Sequence, residues 1–205
     1  MKTRKIHYLS GLTLTLFIGV HLVNHFVSIW GPETHIEWMT VLRKVYRNPL
    51  IEITLLLTVF AQIISGVKLY FSKRKIANIF FIKLQIWTGL YLAFFLLMHV
   101  SAVMVGRYVL ALDTNFYFGV AGLNTFPFNL FFVPYYALAI ISFFGHVAAI
   151  HSQKMKKSLG GLSPDQQSKA ILYTGLALTV VILYGLTGGF TGVEIPATYD
   201  VMIGK

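Results

Sequence analysis

Two histidines occupy equivalent positions in two similar apolar segments of the chain. His21 and His99 each lie ten residues after a glycine, Gly11 or Gly89, that itself follows a serine or a threonine. Ionisable side chains within apolar segments are rare, face the protein interior and are candidates for function. Two neutral imidazoles that face each other inside a helix bundle can each supply one axial nitrogen to the iron of a low-spin b-type haem.

The rise of a helix places both histidines at the same depth. Each follows a basic residue, Lys5 or Lys83, by 16 positions, which corresponds to about 24 Å along a helix. We therefore predict that His21 and His99 ligate the iron of one haem. The alternative is that each imidazole only hydrogen-bonds to a neighbouring helix, a contact of roughly 1 kcal/mol.

A second polar level is predicted closer to the basic residues. His146 precedes Lys154 by eight residues, and Gln62 precedes Lys68 by six, which places them about 12 Å and about 9 Å along their helices from those lysines. The chain thus combines one level of two histidines with another level of one histidine and one glutamine.

Two further residues could contact a cofactor held by the histidine pair. His25 follows His21 by four residues on the same helix face, so it is an alternative ligand, or a contact for a propionate or a quinone. Arg107 lies about 12 Å beyond the second histidine of the pair, where outward-pointing propionates would end; an ordinary interfacial anchor is the alternative. His7 and His35 are expected to lie at the interface or in loops and to be structural.

The elements that must position these residues are membrane-spanning helices. The chain is 56% hydrophobic and 12% charged, whereas a soluble domain has roughly a quarter of its residues charged. Five stretches reach the length of about 20 apolar residues that a bilayer requires, and the first is read as a retained helix and not as a signal peptide. We predict an all-α integral membrane protein with one transmembrane domain over residues 1–205 and helices at about 8–30, 49–72, 83–106, 128–152 and 169–190.

The first four helices form an internal repeat. The first and third share the Ser/Thr-Gly and histidine pattern, and the second and fourth correspond loosely, with Gln62 aligned to His146. The repeat predicts a four-helix haem-binding bundle made of two equivalent hairpins, with the fifth helix outside it.

The charge distribution predicts the orientation of the chain. The N-terminus, the second connection and the fourth connection together carry twelve basic residues against Asp165 alone, whereas the other side carries five basic residues against six acids. The positive-inside rule therefore places the N-terminus in the cytoplasm and the C-terminus outside. The twelve basic residues are Lys2, Arg4, Lys5, Lys68, Lys73, Arg74, Lys75, Lys83, Lys154, Lys156, Lys157 and Lys169.

The same distribution limits the classes of partner. The net charge of +10 would suggest nucleic acid for a soluble protein, but here membrane topology accounts for it, so we expect membrane lipid and no nucleic acid. The chain has no cysteine, which excludes disulfides and thiolate-ligated metal sites within it.

The chain resembles the cytochrome b membrane subunit of succinate dehydrogenases and fumarate reductases, in its single-polypeptide, five-helix bacterial form. The resemblance covers roughly residues 4–152. It is carried most strongly by IHYLSGLTLTLFIGVHLVNHF and LQIWTGLYLAFFLLMHV, and more weakly by IEITLLLTVFAQIISGVKLY and PYYALAIISFFGHVAAIH.

The resemblance implies that His21 and His99 hold an outer haem b. In two-haem members of the family, histidines corresponding to positions 62 and 146 hold an inner haem, but this chain has Gln62 at the first of these positions. One haem is therefore implied and a second is left open; alternatively, His146 and Gln62 contact a quinone headgroup.

The resemblance also implies a function. The chain would be a membrane anchor, without catalysis of its own, in a quinone-linked oxidoreductase of the bacterial inner membrane, docking flavoprotein and iron–sulfur subunits on the inner side. The alternative is a stand-alone haem-binding or structural membrane protein of the same bundle type. A small-molecule transporter is a third hypothesis with less support, because we expect no proline inside the helices and no cluster of buried carboxylates.

Overall fold

The computed structural model describes residues 2–73 and 79–205, and these residues form seven α-helices and no β-strand. Arg74 and Lys75, two of the basic residues used to predict orientation, lie outside the described residues. The helices are α1 (Lys2–Phe26), α2 (Pro32–Tyr46), α3 (Pro49–Lys73), α4 (Phe80–Tyr108), α5 (Phe116–Val120), α6 (Asn129–Lys154) and α7 (Pro164–Leu186).

Five of these helices, α1, α3, α4, α6 and α7, are long and apolar enough to cross a membrane. The prediction of an all-α chain with five helices able to span a membrane is therefore confirmed for the described residues. The helix starts that differ most from the prediction are those of α1 and α7. α1 begins at Lys2, and α7 begins at Pro164 because Ser163 and Gln166 form a capping box that satisfies the first free backbone amides.

The five long helices are arranged as a ring. α3 packs beside α1 and α4, α6 packs beside α4 and α7, and α7 closes the ring against α1. The two predicted hairpins, α1–α3 and α4–α6, are thus neighbours, and α7 fills the gap between them. Because α3 separates α1 from α4 on one side of the ring, side chains of α1 and α4 meet only across its interior.

Two segments cover one end of the ring, which we call the lid end: α2 and residues 109–128, the latter including α5. The exposed side chains of Trp30 and Trp38 are typical of a membrane–water interface, whereas His35 and Met39 of α2 are buried. The sequence did not predict α2 as a helix. The opposite end, which we call the basic end, carries the N-terminus and the α6–α7 connection.

One expectation about the helices is wrong. Pro134 lies inside α6, and the helix continues through it to Lys154. A proline removes one backbone hydrogen bond and clashes with the preceding turn, but neighbouring helices make this tolerable in membrane proteins. The absence of internal proline therefore no longer counts against a transporter.

A close approach at Gly185 joins α7 to the turn that follows α1. A Cβ atom added at Gly185 would lie 2.3 Å from Ser28 Oγ and 2.7 Å from the backbone nitrogen of Ile29. Real side chains do not approach so closely, and the second of these atoms is backbone, which cannot swing away. The absence of a side chain at Gly185 thus sets the distance between α7 and the end of α1.

We predict that Gly185→Ala destabilises the protein, because overpacking a fitted contact typically costs about 1–3 kcal/mol. The measurement is the thermal unfolding midpoint in detergent micelles. Gly19→Ala is the matched control, since a Cβ atom at Gly19 would meet nothing within 4 Å. Equal midpoints for the two variants would contradict the assigned contact.

Candidate functional site

His21 and His99 meet across the interior of the ring. Their ring centroids lie 6.2 Å apart. A metal-bound imidazole nitrogen lies about 2.0 Å from its metal and the ring centroid roughly 1 Å further, so two imidazoles on opposite sides of one ion have centroids about 6 Å apart. The observed separation fits a pair of axial ligands.

A phenylalanine one turn earlier orients each histidine. Phe17 stacks on His21 with centroids 5.8 Å apart and an interplanar angle of 16°. Phe95 stacks on His99 at 5.1 Å and 11°. Sequence reasoning missed both phenylalanines, although each occupies the fourth position before its histidine and so belongs to the repeat.

The hydrogen bonds of the pair do not match the alternative of simple helix–helix contacts. Among the described residues, His99 makes no hydrogen bond, and His21 bonds only to His25 of its own helix, with 3.1 Å between the two Nε2 atoms. The pair therefore joins no helices through hydrogen bonds. Ligation of iron through His21 Nε2 would replace the contact with His25.

His25 connects the pair to the lid end. Its Nδ1 atom lies 3.3 Å from Nε2 of His35, which in turn lies 3.1 Å from the side-chain amide nitrogen of Asn24. Both nitrogens of His25 are thus engaged by other histidines. To serve as the alternative ligand, His25 would have to give up one of these contacts.

His35 lies in a helix and not in a loop. It lies in α2 with 2% of its surface exposed, and its ring contacts Phe116 at a centroid distance of 5.2 Å. The packing of α2 over the end of the ring therefore places a third histidine, His35, in hydrogen-bond contact with His25, which itself contacts His21. Sequence reasoning could not find this residue, because its burial depends on tertiary packing.

The second polar level repeats in both hairpins. Ser10 Oγ donates a hydrogen bond to Gln62 Oε1 at 2.5 Å, and Thr88 Oγ1 lies 3.2 Å from His146 Nδ1. A Cβ atom at Gly11 would lie 3.4 Å from the Gln62 amide nitrogen, and one at Gly89 would lie 3.0 Å from His146 Cε1. The two glycines thus make room for equivalent side chains.

His7 completes this level on one side. The Nε2 atom of His7 lies 3.3 Å from Gln62 Nε2, and its Nδ1 atom lies 3.0 Å from Ser65 Oγ. His146 also contacts the backbone oxygen of Gln85 at 3.1 Å. In the described part of the chain, no hydrogen bond joins Gln62 to His146, so each side chain is bonded within its own hairpin.

Arg107 is paired with a carboxylate. Its guanidinium forms a salt bridge with Glu52 in the first turn of α3, and its charge lies 5.0 Å from the ring centroid of Tyr108. A propionate at Arg107 would have to share the guanidinium with Glu52.

The described residues contain no group of three or more histidine, aspartate or glutamate side chains placed to hold a metal ion. Protein sites for a bare zinc ion use three or four such ligands. Two histidines alone suit a metal whose other positions are filled by a macrocycle, as in haem. The residues present therefore fit a haem better than a free ion.

No family model, no curated protein and no solved structure matches this chain. The resemblance to the cytochrome b subunits therefore remains a prediction.

His35 should make the docking of α2 sensitive to pH. Burial, with smaller contributions from His21 and Arg43, lowers the pKa of His35 from 6.5 to about 4. A His35 exposed to water by undocking binds a proton below pH 6.5, whereas the docked residue binds one only below about 4. Stability is therefore complete above pH 6.5 and is lost as the pH falls towards 4, by at most roughly 3 kcal/mol.

We predict that the thermal unfolding midpoint of the protein in detergent falls between pH 7.5 and pH 4.5. The midpoint of the His35→Gln variant should fall less over the same range, because glutamine keeps a hydrogen-bonding side chain but does not titrate. An identical fall in both proteins would show that His35 does not contribute.

Proposed function

We propose that this protein is a membrane b-type cytochrome that holds one haem between His21 and His99. The observation that carries the proposal is the approach of two repeat-related imidazoles across the ring, with centroids 6.2 Å apart. Among the described residues, neither imidazole hydrogen-bonds to another helix. When bound, the haem would supply one-electron redox chemistry.

The residues of the chain have distinct roles in this proposal. His21 and His99 hold the iron, Phe17 and Phe95 fix the planes of their rings, and α2 shields the pair from water at the lid end. Shielding matters because burial and solvent access help to set the reduction potential of a haem.

The electron partner proposed is a membrane quinone. Gln62 and His146 offer donor and acceptor groups to a quinone headgroup at the second polar level. Gln62 is bonded to Ser10 and His7, and His146 to Thr88 and Gln85, so a headgroup would have to exchange some of these bonds. A second haem at this level is less supported, because position 62 is a glutamine.

We further propose that the chain is the anchor of a succinate dehydrogenase or fumarate reductase complex. The flavoprotein and iron–sulfur subunits would dock at the basic end, where many of the lysines lie. Affinity purification from native membranes tests this part separately. A haem-loaded chain that brings down no flavoprotein would favour the stand-alone membrane haem protein instead.

The test of the haem site is a set of single substitutions. We predict that His21→Ala and His99→Ala each remove the b-type bands from the reduced-minus-oxidised spectrum, since each removes an axial ligand. His146→Ala is the matched control, because it removes a half-buried histidine of the other level and should keep one low-spin haem. Loss of all haem in His146→Ala, with retention in His21→Ala, would overturn the assignment.

The proposed orientation, with the N-terminus in the cytoplasm, is testable because the chain has no cysteine. We predict that a membrane-impermeant maleimide labels Glu37→Cys of α2 in intact cells but not Lys156→Cys at the basic end. Permeabilised cells should label both, which controls for reactivity. The reverse pattern in intact cells would contradict the orientation derived from the positive-inside rule.

A further inference from the structure

Several polar atoms beneath α2 are buried without a hydrogen-bond partner in the described part of the chain. They are Nε and Nη2 of Arg43, Nδ1 of His35 and the side-chain oxygen of Asn24. Buried polar groups almost always have a partner, and each exception requires an explanation. The two atoms of Arg43 require it most, because leaving a charged group unbonded costs more than leaving a neutral one unbonded.

The two unpaired nitrogens of Arg43 belong to the same edge of the guanidinium. Nε–H and Nη2–H point in parallel and together match the two oxygens of one carboxylate, which is the bidentate arrangement that arginine favours. The remaining nitrogen, Nη1, already contacts Asp113 Oδ1 at 2.8 Å. Arg43 thus has one nitrogen paired with Asp113 and an Nε and Nη2 edge that meets no hydrogen-bond partner of standard geometry among the described residues.

The charges around Arg43 also favour a further anion. Asp113 is shared between Arg43 and Arg47, whose Nη2 lies 3.8 Å from the same carboxylate oxygen. Two guanidiniums therefore share one carboxylate, and among the ion pairs of the described residues one positive charge is left without a carboxylate of its own. Arg107, by contrast, has Glu52 as its own partner.

Arg43 is adjacent in α2 to residues that approach His21. Its neighbours in the helix, Leu42 and Tyr46, line a small cavity together with His21 and Asn24. The guanidinium of Arg43 acts by charge on His35 and by charge and hydrogen bonding on the hydroxyl of Tyr46. Arg43 therefore lies one residue from the part of α2 that lines the cavity beside His21.

We infer that Arg43 binds a propionate of the haem through its Nε and Nη2 edge, and that Arg107 does not. This inference rests on the proposed haem function, because the carboxylate it names belongs to that haem. The propionate contact predicted for Arg107 is thereby assigned to Arg43 instead. The position of Arg107 along α4 is suitable, but its charge is already paired with Glu52.

The test compares two ligands, haem and haem dimethyl ester, in which both propionates are blocked. Protein produced without haem and purified in detergent is titrated with each ligand, and the Soret band reports binding. The wild type should bind haem about tenfold or more tightly than the ester, as expected for a charge-assisted pair. Arg43→Gln should bind the two ligands with nearly equal affinity.

Arg47→Gln and Arg107→Gln are the matched controls, and both should keep the preference of the wild type for haem. Retention of the full preference in Arg43→Gln, or its loss in Arg107→Gln, would overturn the assignment to Arg43 while leaving the haem proposal intact. A wild type that binds neither ligand would instead overturn the haem proposal and this inference with it.

Asp113→Asn keeps the inference falsifiable even if Arg43→Gln does not fold. Removal of the competing carboxylate leaves Arg43 more available, so the preference for haem over the ester should stay the same or increase. A clear decrease would contradict a propionate at Arg43.

Discussion

Within a membrane, every polar group must find its partner inside the protein, and this constraint organises the whole chain. Hydroxyl groups of the spanning helices return to the carbonyl oxygen one turn earlier, as Thr15 does to Gly11 and Thr58 to Thr54. The second polar level is satisfied by pairs between helices. His99 and Arg43 stand out because part or all of their bonding capacity is unused, and both lie towards the lid end.

The two hairpins carry the same residues at the level of His21 and His99, but they differ at the level of Gln62 and His146. At the level of His21 and His99, the histidine and its stacked phenylalanine occur in both copies. At the second level, the glycine and the neighbouring hydroxyl are kept, but the side chain they receive is a histidine in one copy and a glutamine in the other. In the hairpin that carries Gln62, His7 also contacts the glutamine, so the polar atoms of this level are bonded although position 62 is not a histidine.

The lid end adds what the repeat alone does not contain. α2 lies outside both hairpins, yet it contributes His35 and Arg43 to the surroundings of the histidine pair. When this interfacial helix packs over the end of the ring, several polar atoms in and beneath it are buried without hydrogen-bond partners among the described residues, which is unfavourable. The proposed haem gives the Arg43 atoms a partner, and in doing so it links the stability of the cover to the occupancy of the site.

The parts of this arrangement differ in how far the sequence predicts them. Hydropathy predicts the five spans, because it is read from one helix at a time. The repeated spacing predicts that His21 and His99 meet, because it gives both histidines the same depth along their helices. The salt bridge of Arg107 with Glu52 joins residues 55 positions apart and depends on which helices become neighbours. The burial of His35 and Arg43 likewise depends on how α2 docks, which its mixed composition does not reveal. Phe17 and Phe95 occupy equivalent positions in the repeat, but the sequence alone does not show that their rings stack on the histidines.

The central claim is that His21 and His99 hold one iron from opposite sides, and the electron paramagnetic resonance spectrum of the oxidised, purified protein tests it most directly. We predict the low-spin ferric signal of a haem with two imidazole ligands, at one haem per chain. Protein from haem-replete cells that contains no haem, or that shows only a high-spin signal, would contradict the claim.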